Sequence, residues 1–227
     1  MRAMVLAAGR GMRMRPLSDR CPKPLLRAGG RPLIEHCIVG LVEAGVREIV
    51  VNHAWLGQQI EEALGDGSRF GAVLQYSPEP EGALDTAGGI IKALPLLGEA
   101  PFIVTSGDVW SDYRFDRLPG EPRGLAHLVL VDNPSYHSEG DFVLCGEWLT
   151  AGYGPRLTYG NIGVYRPELF SGCRVERRPL LPILRDAIGR GAVSGEHYPG
   201  RWINVGTPAD LETLEGVLRL PSSRSGS

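Results

Sequence analysis

An apolar run at residues 3–7 breaks at Gly9-Arg10-Gly11 and continues through Arg13 and Arg15 to the triplet Pro22-Lys23-Pro24. No other stretch constrains the chain as strongly. A short unbroken apolar run reads as a strand buried on both faces, which belongs in a parallel sheet. Glycines directly after such a strand let the backbone approach a phosphate chain, whose charge is met by amide N–H groups. Arg13, Arg15 and Lys23 add full positive charges to that cradle. Residues 6–26 therefore read as a loop for a nucleoside triphosphate, with Leu6, Ala7, Ala8, Gly9, Gly11 and Met12 forming its turn.

Two familiar glycine loops do not fit. A dinucleotide fingerprint needs a third glycine where Met14 stands, so that a helix can pack on the strand. A Walker loop needs Lys and then Ser or Thr after its last glycine, and Met12 and Arg13 occupy those places.

The first half alternates between two periodicities. Helices are expected at 32–44, where Ile34, Cys37, Ile38, Leu41 and Val42 share a face, at 58–64, and from a Thr86 cap to 94. Strands are expected at 48–52, 72–76 and 102–105. This alternation implies an α/β fold with an open, doubly wound, mostly parallel sheet flanked by helices. Ligands of such sheets sit beyond the carboxyl ends of the strands. The loops at Gly9, Asn52, Tyr76 and Gly107 should share that rim, where Asn52 is placed to read a base edge. Asp108 stands there too, and a single carboxylate suits Mg²⁺ already held by a triphosphate.

The second half is less regular. Strands are expected at 126–131, 141–144, 157–165, 193–198 and 202–205. A helix is expected at 180–188, and Thr207 and Pro208 open a last one. No internal repeat or linker divides the 227 residues, so one domain over 1–220 is expected, with a disordered Ser/Gly-rich tail at 221–227. A net charge of −2 gives no electrostatic case for a nucleic-acid or membrane surface. The four scattered cysteines form no CxxC pair and fit a reducing compartment. With no signal peptide or long apolar span visible, a cytoplasmic location is expected.

Gly9, Gly11, Arg13, Met14 and Pro16 together match G-x-G-x-R-[ML]-x-P, and Pro22-Lys23-Pro24 matches P-K-[PA]. The chain resembles the sugar-1-phosphate nucleotidyltransferases over nearly its whole length. The resemblance implies a Rossmann-like single-domain fold and Mg²⁺-dependent joining of a nucleoside triphosphate to a sugar 1-phosphate. Arg13, Lys23 and Asp108 are then the catalytic residues, and the partners are small molecules. Oligomeric state is left at monomer or small homo-oligomer, with no room after residue 220 for the β-helix of longer relatives. The family's second metal motif, W-x-D-V-G-T, stands here as Trp202-Ile203-Asn204-Val205-Gly206-Thr207, so the implied ligand is an amide. Residues 76–89 resemble the segment that closes over base and ribose, which assigns Asp85 and Gly88 to the nucleotide. Gly140, Asp141 and Asn161 match sugar-side positions. The stretches Asn52-His53-Ala54-Trp55-Leu56-Gly57 and Gly140-Asp141-Phe142 narrow the resemblance to short, uridylyl-transferring members. Transfer to another sugar or from another nucleotide remains open, as does a non-catalytic nucleotide-sugar-binding protein, which Asn204 favours.

Overall fold

The structure, a computed structural model, describes residues 1–80 and 83–219, so the expected tail at 221–227 lies outside it. β1 (Ala3–Leu6) leads into the glycine loop, which continues as single 3-10 turns at Met12–Met14, Leu17–Asp19 and Lys23–Leu25. A small hairpin, β2 (Arg27–Ala28) with β3 (Arg31–Pro32), turns the chain into α1 (Leu33–Glu43). Leu33, Ile34, Cys37, Ile38 and Leu41 form the buried stripe of α1. The alternation then proceeds as β4 (Glu48–His53), α2 (Gly57–Leu64), β5 (Val73–Pro78), α3 (Asp85–Leu97) and β6 (Phe102–Ser106). β7 (Val109–Ser111) follows at once. The second half comprises β8 (Ala126–Val131), β9 (Phe142–Cys145), β10 (Trp148–Thr150) and β11 (Arg156–Tyr165). It closes with α4 (Leu180–Gly189), β12 (Val193–Tyr198), β13 (Trp202–Asn204) and α5 (Pro208–Arg219).

Nine strands form one sheet in the order β5-β4-β1-β6-β11-β8-β12-β10-β9. β1 is central to its parallel half, where Leu6 is level with both Asn52 and Ser106. The other half is antiparallel except for β8 against β12. The reason is local: β8 to β11 follow one another without intervening α-helices, and only a long crossover returns a strand in parallel. α3 and α4 cover one face through Ile90, Leu97, Leu184 and Ile188, whereas α1 and α2 cover the other through Ile34, Ile38, Leu41 and Ile60. A third, small core joins Met14, Ala28, Leu33, Val205 and Leu214, so α5 packs beneath the glycine loop.

Two local expectations change. α3 begins at Asp85 without a side-chain cap, because the Arg178 carbonyl accepts from the Ala87 and Gly88 amides at 3.0 and 3.2 Å. β7, β10 and the β2–β3 hairpin are too short to leave a periodic trace. At α5 the Thr207 cap is present: Oγ1 accepts from the Asp210 amide at 3.3 Å, and Asp210 Oδ2 accepts in return from Thr207 N at 2.7 Å and Gly206 N at 3.0 Å.

Candidate active site

Gly11 adopts φ +66°, and a Cβ there would stand 3.0 Å from that of Lys23. Its carbonyl accepts from Ser18 Oγ at 2.7 Å and Met14 N at 2.9 Å, folding the loop back on itself. Lys23 is thereby drawn beneath the loop, only 9% exposed, and its Nζ lies 2.5 Å from Asp108 Oδ2. Around this pair is a cavity of about 220 Å³. Leu6, Ala7, Gly9, Gly11, Met12 and Arg13 line one side, and Pro24, Asp108 and Gly206 the other. The Arg13 guanidinium crosses Gly206, where a Cβ would be 3.1 Å from Nη2. Ala8 is buried outside this lining. Arg15 is also diverted from the cradle, pairing outside it with Asp19 at 3.0 Å.

Asp108 and Asn204 meet because β7 pairs antiparallel with β13. Asn204 stands opposite Val109, and the Val205 amide donates to the Asp108 carbonyl at 2.9 Å. Among the described residues no cluster of three or more His, Cys, Asp or Glu could hold a metal by itself. One half-buried carboxylate beside an amide carbonyl still fits Mg²⁺, which keeps its waters and substrate oxygens and needs few protein ligands.

Beyond Asn204 a second cavity of about 330 Å³ opens between α3, α4 and β11. Asp85, Tyr136, Asp141, Asn161, Trp202 and Asn204 line it. Asn161 sits at φ +55° in an irregularity of β11 between Tyr159 and Gly163, a conformation Asn tolerates well. The Asp141 carboxylate accepts from Tyr159 N at 2.8 Å and meets His137 Nε2 at 3.1 Å. Trp202 is held by its indole N–H on the Gly160 carbonyl at 2.9 Å. Partial burial raises the Tyr136 hydroxyl pKa, against a lowering by Asn204.

The geometry gives four further expected site residues their surroundings. Asp85, expected against base and ribose, lines this second cavity. Gly88 is buried where a Cβ would come within 2.2 Å of the Glu176 carbonyl, so its smallness serves helix–loop packing. Gly140 is likewise buried in a turn, a Cβ there falling 2.8 Å from the Arg156 backbone. Asn52 reaches the rim but its amide is committed to the protein. Oδ1 accepts from the Ala7 amide at 2.9 Å, and Nδ2 donates to Glu79 Oε1 at 2.6 Å. Glu79 Oε2 in turn accepts from Leu84 N at 2.6 Å. Sequence reading singled out neither Glu79, which lies within the 76–89 segment without a role of its own there, nor Tyr136, which stands in no periodic or motif position.

A family model described as nucleotidyl transferase matches residues 2–121. N-acetylmuramate alpha-1-phosphate uridylyltransferase of Neisseria meningitidis serogroup B is 47% identical, over 96% of this chain and 98% of its own length. The Caulobacter vibrioides protein of the same name is 32% identical over 91% of this chain and 92% of its own. Among solved structures, the inositol-1-phosphate CTP transferase of T. maritima superposes with a TM-score of 0.75 at 17% identity, covering 96% of this chain and 95% of that one. HddC of Yersinia pseudotuberculosis reaches 0.80 at 15%, covering 96% and 99%. These two matches establish the fold. With the glycine loop, the buried Lys23–Asp108 pair and a family match spanning more than half its length, the chain belongs to the nucleotidyl transferase family.

Proposed function

We propose that the chain transfers the uridylyl group of UTP to N-acetylmuramate 1-phosphate, releasing pyrophosphate and UDP-N-acetylmuramate, in cytoplasmic recycling of peptidoglycan. The observation that carries the reading is the Lys23–Asp108 pair in the phosphate cavity, with Asn204 of the paired strand β13 on the lining of the second cavity. The 47% identity to a protein bearing that name supports the choice of base and sugar.

The nucleophile is a phosphate oxygen already ionised at neutral pH, so no protein base is required and catalysis reduces to positioning and charge neutralisation. The loop amides and Arg13 hold the β- and γ-phosphates and balance the charge that grows on leaving pyrophosphate. Lys23 lines the phosphate cavity beside Asp108, and its ammonium holds the α-phosphate and the incoming sugar phosphate in line. Asp108 and the Asn204 carbonyl are the residues that would hold Mg²⁺, which when bound neutralises triphosphate charge. Asp141, Asn161 and Asp85 present polar groups to the sugar.

Asn204 brings no negative charge, and it is the one feature that favours a binding protein over an enzyme. Pyrophosphate release from UTP, N-acetylmuramate 1-phosphate and Mg²⁺, compared between the chain and Asn204→Asp, separates the readings. Release by the unaltered chain, at a lower Mg²⁺ requirement after Asn204→Asp, is expected. Silence from both, in folded protein that still binds UTP, would overturn the enzymatic reading.

A further inference from the structure

The sugar-side cavity does not end at Asp141. Asp141 and Phe142 also line a neighbouring cavity of about 230 Å³, together with Thr150, Arg156, Arg185 and Ile188. One face of α4 runs along both. Leu181 and Leu184 border the first, Arg185 and Ile188 the second, at positions i, i+3, i+4 and i+7. Four residues of helix advance by about 6 Å, roughly the width of a pyranose ring. The linings thus run from the phosphate loop with Lys23–Asp108, by way of Asn204 to the sugar cavity, and by way of Asp141 and Phe142 to the arginines.

Those arginines are not spent on ion pairs, unlike others of this half of the chain. Arg123, Arg166 and Arg190 are tied to Glu147, Glu121 and Asp186. Arg156 and Arg185 make no ion pair among the described residues, and both are exposed. Asp141, the acid nearest in the lining, is already engaged by Tyr159 N and His137. Asp186, next to Arg185, pairs with Arg190 instead. Two unpaired guanidinium groups beside Phe142 and Ile188 make a place for a small anion that carries an apolar group.

Resting on the proposed substrate, we propose that Arg156 and Arg185 form a subsite for the carboxylate of the lactyl ether, the group that distinguishes N-acetylmuramate from N-acetylglucosamine. That ether hangs from C3, so it leaves the ring on the side remote from the anomeric phosphate. With the phosphate at Lys23 and the ring against Asp141, the carboxylate points into the second cavity. Phe142 and Ile188 then face its methyl group. Among the described residues, the sugar cavity is lined by no Lys or Arg, and its histidine, His137, is already engaged by Asp141.

The test is calorimetric binding of UDP-N-acetylmuramate, UDP-N-acetylglucosamine and UTP to the full chain and to Arg156→Gln/Arg185→Gln, with thermal melts checking that the variant is folded. The unaltered chain should prefer UDP-N-acetylmuramate. The variant should lose about 10- to 100-fold for that ligand alone, as expected for lost hydrogen bonds to a charged group. UTP and UDP-N-acetylglucosamine should be unaffected, and the preference should vanish. An unchanged preference in the variant, or an equal loss for both nucleotide sugars, would overturn the subsite and leave the proposed reaction standing. An unaltered chain that binds UTP but does not bind UDP-N-acetylmuramate would overturn the proposed substrate, and the subsite with it.

Discussion

Exchanging the side-chain polarity of Asn52 and Glu79 tests how the two halves of the cleft are joined. The Ala7 amide donates to Asn52, Asn52 donates to Glu79, and Leu84 N donates to the other oxygen of Glu79. Ala7 lines the phosphate cavity, and Leu84 directly precedes Asp85 of the sugar cavity. Asn52→Asp keeps the Ala7 bond but sets one carboxylate against another at a 2.6 Å contact. Glu79→Gln can accept only one of its two donors and turns an NH₂ group on the other. Each single change loses a charge-assisted bond and leaves a mismatched group, costing about 1.5–3 kcal/mol. The double variant Asn52→Asp/Glu79→Gln restores every match. Its new carboxylate accepts from Ala7 N and from the new side-chain amide, whose carbonyl oxygen accepts from Leu84 N. Net charge is unchanged. Urea unfolding of all four proteins should therefore give a coupling of about 2 kcal/mol with a recovered midpoint, within the range for contacting residues. The KM for UTP should rise in each single variant and return in the double. A double variant as unstable as the sum of the singles, or one restored in stability but not in KM, would refute the coupling.

Three further outcomes follow from the same geometry. Lys23→Ala should lower kcat for pyrophosphate release by about 10²- to 10³-fold, the scale of losing one transition-state charge partner, in protein whose circular dichroism is native. Burial pushes the Cys37 thiol pKa up to about 12, and Cys145 is exposed. Native protein at pH 8 should therefore react with a disulfide reagent at Cys145 and leave Cys37 untouched until it is unfolded, as peptide mass mapping would read. Burial holds His36 and His127 below the ordinary histidine value of 6.5. The unfolded chain binds more protons below that value, so their contribution is complete above pH 6.5 and falls as acid takes the pH through the folded pKa values. The melting temperature should drop in that window, and His36→Gln/His127→Gln should flatten the slope.

Much of this was legible in the chain itself. A loop whose chemistry is backbone and cation, at Gly9, Gly11, Arg13 and Lys23, is written locally and needs no tertiary information. The parallel half of the sheet was equally readable, because β1, β4 and β6 are short apolar runs separated by helical periods. What escaped depends on distant partners. The β7–β13 pairing that sets Asn204 beside Asp108 involves two three-residue strands too short for any period. Gly88 carries the same residue type whether it faces a nucleotide or the Glu176 carbonyl, and only the fold shows which. Asn52 at a strand end looks free to bind until Glu79 is seen opposite it. Arg156, which opens β11, and Arg185 of α4 are 29 residues apart in sequence and come to one cavity only in the fold.

The most direct measurement is the identity of the product. The chain would be given equal concentrations of the four ribonucleoside triphosphates and dTTP, with N-acetylmuramate, N-acetylglucosamine, glucose and mannose 1-phosphates together. Mass spectrometry would then read every nucleotide sugar formed in the presence of Mg²⁺. UDP-N-acetylmuramate as the dominant product is the expected result. A guanylyl or thymidylyl sugar, or a uridylyl sugar without the lactyl carboxylate, in its place would contradict the account of this site.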